Sequence, residues 1–111
     1  MSHKVFGKIR RVSYGYGGYQ GAQFGIEFEL GGTDWATGDF WGFWGGEWSQ
    51  GCKWTPEEQI HCHGDIAMRI SRLLTSARVQ TVADLKDIPI EAVLASESTR
   101  LESWRVLTEV L

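Results

Sequence analysis

At 111 residues, with 42% apolar and 23% charged residues and a net charge of −3, the chain has the make-up of one globular domain spanning residues 1–111, long enough to bury a core without staples. No apolar run reaches membrane-spanning length, and the opening MSHKVFGKIRR holds no apolar stretch of the signal-peptide kind; the expected setting is therefore the cytosol, with no membrane contact and with Cys52 and Cys62 as free thiols. The charge is uneven. Residues 15–50 hold five acids, no Lys or Arg, and ten of the fourteen aromatic residues, which suits a protein partner or a sugar better than a phosphate backbone.

Lys4–Tyr14 is rich in β-formers, but Val5 and Ile9 share one parity and Val12 and Tyr14 the other, so a bulge is expected near Arg10–Arg11. The glycine-rich GYGGYQG at 15–21 is a turn, with Tyr14, Tyr16 and Tyr19 splayed outward. Ala22–Leu30 alternates strictly: Ala22, Phe24, Ile26, Phe28 and Leu30 face one way, Gln23, Gly25, Glu27 and Glu29 the other. Thr33–Trp44 is a third strand, apolar on both faces. Phe40 and Trp44 are expected to join the core of the second strand, leaving Trp41 and Phe43 under a helix or exposed. Thr55-Pro-Glu-Glu58 starts that helix: Thr55 as N-cap, Pro56 in the first turn and Glu58 closing a capping box. Ile66, Ile70, Leu73, Leu74 and Ala77 give it one apolar stripe, and Gly64 weakens it by about 1 kcal/mol. A short helical turn is expected over Thr81–Lys86, and a strand over Ile88–Leu94, at an edge because of Pro89. A last strand covers Leu101–Leu111, with Trp104, Val106 and Val110 on one face. The fold class is α+β: a curved, mostly antiparallel five-stranded sheet in the order β-β-β-α-β-β, an element order shared with the OB-like barrel, with one main helix.

Candidate chemistry is sparse. The glycine loop opens onto a strand, not the helix a phosphate-binding loop requires. His61, Cys62 and His63 are adjacent on a helix and point about 100° apart, so they cannot converge on one metal ion. No nucleophile–base–orienter set or pair of carboxylates across a cleft can be picked out, so neither an enzyme nor a cofactor or metal is expected. The strongest unusual feature is the aromatic segment GDFWGFWGGEW at 38–48 with its flanking acids. An aromatic cluster rimmed by carboxylates has the composition of a binding hot spot. The expected partner-binding residues are Tyr16, Tyr19, Trp41, Phe43 and Trp48 as apolar anchors, with Asp34, Asp39 and Glu47 at the rim.

The segments VSYGYGGYQGAQFGIEFEL, GDFWGFW, CKWTPEEQ and LESWRVLTEVL resemble a family of small proteins, without assigned activity, encoded by temperate phages and prophages of proteobacteria. The resemblance spans nearly the whole chain, and YGYGGYQ and SWRVLTEVL are its most specific parts; His61-Cys62-His63 is not part of the pattern. It implies a phage accessory protein of the bacterial cytoplasm that binds a host or phage protein, such as an inhibitor of a host defence system of the anti-CRISPR kind. Carboxylates on a compact body can compete there by mimicking phosphates. An alternative is a single-stranded nucleic-acid-binding module for phage replication or recombination, using the basic Lys4–Arg11 strand and aromatic stacking. Exposed aromatics also suit a homodimer, and Trp faces with carboxylates suit a sugar.

Overall fold

The structure is a computed structural model that describes residues 2–17, 23–44, 55–96, 98 and 100–111. Five strands, β1 (His3–Gly17), β2 (Gln23–Gly31), β3 (Ala36–Trp44), β4 (Pro89–Leu94) and β5 (Leu101–Val106), form one antiparallel sheet in the order β3-β2-β1-β4-β5. One helix, α1 (Pro56–Ala77), lies between β3 and β4 in the chain, and a 3-10 turn spans Val82–Leu85. The α+β class and the element order are those expected. The sheet stays open: β3 and β5 are its two edges and are not joined by a ladder.

β1 is the spine. Its first half, His3–Lys8, pairs with β4, and its second half, Lys8–Gly17, pairs with β2. The register shifts between Ile9 and Arg11, the bulge that the parity change in the sequence requires. Arg10, the extra residue, sends its guanidinium across to donate to the Gly32 carbonyl at 2.8 Å. The bulge lets His3, Val5 and Ile9 before it, and Val12, Tyr14 and Tyr16 after it, all lie on the inner face, opposite Leu94, Ala92, Leu30, Phe28, Ile26 and Phe24.

Helix α1 begins as its sequence dictates. The Glu58 N–H donates to Thr55 Oγ1 at 3.2 Å and the Thr55 N–H to Glu58 Oε2 at 3.4 Å. Ile66, Ile70, Leu73 and Ala77 are its buried stripe and pack with Ile9, Ile26, Phe28, Leu30, Ile90 and Val106 of the sheet. Leu85, fully buried in the 3-10 turn, joins the same cluster.

Three expectations are corrected. β4 is interior, between β1 and β5, rather than an edge: Pro89 is its first residue, where a missing N–H is tolerated. The last strand stops at Val106, and Thr108–Val110 is a 3-10 turn in which Val110 is exposed. Phe40 lies on the outer face, because its register partner is Glu27, not a core residue. The cause is a close approach of glycines. Gly15, Gly25 and Gly42 are successive register partners across three strands, and a Cβ on Gly25 would sit 2.1 Å from the Trp41 carbonyl oxygen. The Phe40 ring covers the outer side of Gly42, where a Cβ would meet its Cε1 at 2.3 Å. An aromatic ring laid over a strand glycine restores the packing that the glycine lacks.

Candidate functional site

The inner face of β3 is the aromatic one. Register places Trp41 opposite Ile26, Phe43 opposite Phe24 and Asp39 opposite Phe28. Trp104 of β5 sits opposite the small, buried Ala92, also on the inner face. Curvature of the sheet brings its two edges together there. The Trp41 and Trp104 indoles stack with centroids 5.8 Å apart and planes 18° apart, and both meet Phe28 edge-on, at 4.8 and 5.1 Å. Asp39 ties them: its Oδ2 accepts from Trp41 Nε1 at 3.0 Å and from Trp104 Nε1 at 2.7 Å, while its Oδ1 accepts the Phe40 N–H at 2.9 Å. A carboxylate is the right group for this place, since it offers acceptors only. From α1, the Arg69 guanidinium lies 4.1 Å over the Trp41 ring, a cation–π contact.

A second aromatic group lies toward the end of the sheet where β1, β2 and β3 finish together, with Gly17, Gln23 and Trp44 in register. Phe24 is its hub, with Tyr14 at 5.4 Å, Tyr16 at 5.2 Å, Phe43 at 6.1 Å and the His63 ring of α1 at 5.1 Å. His63 also meets Phe43 edge-on at 4.8 Å. Tyr14 and Tyr16 are 48% and 52% exposed, so this group runs from the core out to the surface.

On α1 the three neighbours diverge as helical geometry requires. His61 faces solvent beside Asp65, at 3.3 Å, and His63 faces the two phenylalanines. Cys62 is half-buried; burial, then the Asp65 and Glu58 charges, push its thiol up from the ordinary value. Among the described residues, no group of three or more His, Cys, Asp or Glu side chains is placed to hold a metal ion. On β5, Arg105 donates to Glu109 at 2.8 and 2.9 Å and to Glu91 at 3.4 Å. The two-point bond to Arg105 is the main cause that holds the Glu109 carboxyl down at about 2.

The residues expected to form a binding surface therefore separate. Trp41, Phe43 and Asp39 come together on the inner face, half-buried, and Asp39 is a tie between two strands rather than a solvent-facing rim acid. Asp34 is exposed in the β2–β3 connection, away from that group by chain position. Tyr16 stands half-exposed at the sheet's end. Tyr19, Glu47 and Trp48 lie outside the described residues, as does the Trp44 side chain. Sequence reasoning missed Phe24 as the shared partner of Tyr14, Tyr16 and His63, and Arg69 and Trp104 as partners of Trp41. The parity of Tyr14 and Tyr16 was the available signal for the first group; a link from Asp39 to Trp104, 65 positions apart, leaves none in a single sequence.

No protein-family description, curated protein or solved structure matches this chain.

Proposed function

We propose that the chain is a phage-encoded accessory protein that acts by non-catalytic binding to a protein partner, in the manner of an inhibitor of a host defence system. The phage origin rests on the sequence resemblance carried by YGYGGYQ and SWRVLTEVL. The binding reading rests on one observation: the aromatic group around Phe24 reaches the surface through two half-exposed tyrosines, Tyr14 and Tyr16. Tyrosine supplies a large, stiff contact area with a polar tip, and such residues dominate interface energetics. Phe24 meets both tyrosine rings and is itself packed against Phe43 and His63. The test is affinity capture from a lysate of the bacterium that carries the gene, with wild type and Tyr14→Ser/Tyr16→Ser side by side. A specific protein retained by wild type and reduced about tenfold or more with the double variant supports the reading. Equal retention of every captured protein by both refutes the tyrosine surface.

A second reading is favoured by the outer face. Lys4, Phe6, Lys8 and Arg11 lie on the outer side of β1, and Phe6 is 63% exposed. Basic residues flanking an exposed ring can track and stack a single strand. Against it, Lys8 pairs with Asp87 at 3.2 Å and Arg11 lies 3.9 Å from Glu29. Titration with a thymidine oligonucleotide at low salt decides: binding that weakens steeply with salt and is lost in Phe6→Ala supports this reading, and no binding ends it.

A further inference from the structure

Two open grooves flank α1 on the side facing the seam between β3 and β5. One, about 470 Å³, passes Phe43, Cys62, Ile66 and Met68; the other, about 320 Å³, passes Leu73, Ser76, Trp104 and Arg105. Trp41, Arg69 and Arg72 line both, so the two adjoin at these residues and together make up the cleft beside α1. Arg69, Arg72 and Ser76 follow one another down the same side of the helix at i, i+3 and i+7. Arg105 is already bonded to Glu91 and Glu109, and its charge is compensated. Arg69 and Arg72 are not: among the described residues no carboxylate lies within ion-pair distance of either. The Arg69 guanidinium carbon lies 4.1 Å over the Trp41 ring, a cation–π contact that leaves its N–H groups to bond an oxyanion.

The cleft thus combines two arginines that have no ion-pair partner among the described residues, and one lining carboxylate, Asp65, which pairs with His61, with an apolar floor of Trp41 and Phe43 and with Met68, which is more than half exposed. It asks for an anion carried next to an apolar group. A nucleic-acid strand is the poorer fit. Its affinity grows with the number of phosphates neutralised, and two arginines with Asp65, Glu91 and Glu109 nearby neutralise few and repel the rest. The larger hollow on the sheet, about 710 Å³ over β2 and β3, is lined by Glu27 and Glu29 and does not suit an anion.

We propose that the cleft between α1 and the seam holds an acidic segment of the protein partner, its carboxylate bonded by Arg69 and Arg72 and a neighbouring apolar side chain laid along Trp41, Phe43 and Met68. This rests on the protein-binding reading above and adds the chemistry of the partner's contact.

The test pans the immobilised full chain against a random peptide library, with wild type, Arg72→Glu, Arg72→Lys and the tyrosine double variant in parallel. Arg72 is exposed on the helix, and a Glu there can pair with Arg69 at i, i−3, so the reversal leaves the fold intact. The expected result is enrichment of peptides carrying Asp or Glu beside a large apolar residue. The best of them should bind Arg72→Glu about tenfold or more weakly than wild type, a difference of about 1.4 kcal/mol, with most of the affinity kept by Arg72→Lys. Retention of these peptides should fall at high salt. Enriched peptides without acidic residues, or acidic peptides that Arg72→Glu binds as well as wild type, overturn the cleft. Neither outcome touches the protein-binding reading, which stands or falls with the tyrosine variant in the capture experiment. An oligonucleotide that binds wild type and is lost in Arg72→Glu overturns the proposal in favour of a nucleic-acid ligand.

Discussion

Asp39→Ala should open the seam between the sheet's edges, and the size of the effect follows from the geometry. The side chain accepts three hydrogen bonds: two indole N–H groups, at 2.7 and 3.0 Å, on Oδ2, and the Phe40 N–H, at 2.9 Å, on Oδ1. Bonds to a charged acceptor contribute about 1.5–3 kcal/mol each when buried. Here the indoles are half-buried and water replaces part of each bond, so about 1 kcal/mol apiece is appropriate, for a total of roughly 3 kcal/mol. On a chain of this size that lowers Tm by roughly 10 °C or more. Asp39→Asn separates the contributions. Its carbonyl oxygen has two lone pairs and can keep both indoles, but its NH2 then faces the Phe40 N–H, donor against donor. It should cost about 1 kcal/mol, from the one bond lost. Urea unfolding followed by far-UV circular dichroism measures both, with near-UV signals reporting the indole pair. An Asp39→Ala protein as stable as wild type would refute the idea that the carboxylate is what joins the two strands, and an Asn variant as damaged as the Ala variant would refute the assignment of most of the effect to the two indole bonds.

Other substitutions test other parts of the fold. Gly64 is a mid-helix glycine around which a Cβ meets nothing within 4 Å, so Gly64→Ala should stabilise by about 1 kcal/mol in denaturant unfolding. Gly25→Ala drives a Cβ into the backbone of Trp41 and Gly42, at 2.1 and 2.5 Å, and should cost about 3 kcal/mol or prevent folding. Gly38→Ala, whose Cβ would meet the Phe28 carbonyl oxygen at 3.3 Å, needs a shift of only a few tenths of an ångström and should cost much less, and equal melting temperatures for the two variants would contradict the close strand approach. Thr55→Ala removes the oxygen that accepts the Glu58 N–H and should lower stability by about 1 kcal/mol, seen as a Tm lower by a few degrees. Glu109 has a folded pKa of about 2, below its ordinary 4.5, so its contribution is present above about pH 4.5 and lost as the pH falls toward 2. The urea midpoints of wild type and Glu109→Gln should therefore differ at neutral pH and converge in acid. The pair is exposed, so the difference should be small and shrink with salt; a gap that does not change with pH would contradict the linkage.

Much of the fold was legible because local chemistry and tertiary need agree. The strict alternation of Ala22–Leu30 leaves one face for the core, and Phe24, Ile26, Phe28 and Leu30 point into the core side. Thr55, Pro56 and Glu58 leave little choice about where the helix begins, and the change of parity between Ile9 and Val12 cannot be accommodated without a bulge. The third strand was a different matter. Both of its faces are aromatic, so alternation says nothing about which turns inward. Pairing decides it: Trp41 lands opposite Ile26, and the Gly25–Gly42 approach leaves an outer shelf that Phe40 fills. The site was legible only in part for a related reason. Asp39 has the composition of a rim acid beside tryptophans, and nothing near it in the chain reveals Trp104. Arg69 and Arg72, in turn, look like ordinary solvated helix residues until the helix is laid against Trp41.

The shared strand β1 has a consequence for how the molecule comes together. Its second half finds β2 through a short connection, and β3 follows in a meander, so these three strands pair through nearby stretches of chain. Its first half must wait for β4, with His3 opposite Leu94 and the whole helix in between. Loop closure over that span has to be met before the contacts reward it, which places the chain among the slower sheet topologies, folding in roughly milliseconds to seconds. The half of β1 that pairs early also carries Tyr14 and Tyr16, while the Asp39–Trp104 tie needs the late-arriving β5 and the arginine cleft needs α1. An intermediate holding only the meander would show the tyrosine group without the cleft, so the two candidate surfaces would be acquired at different stages of folding.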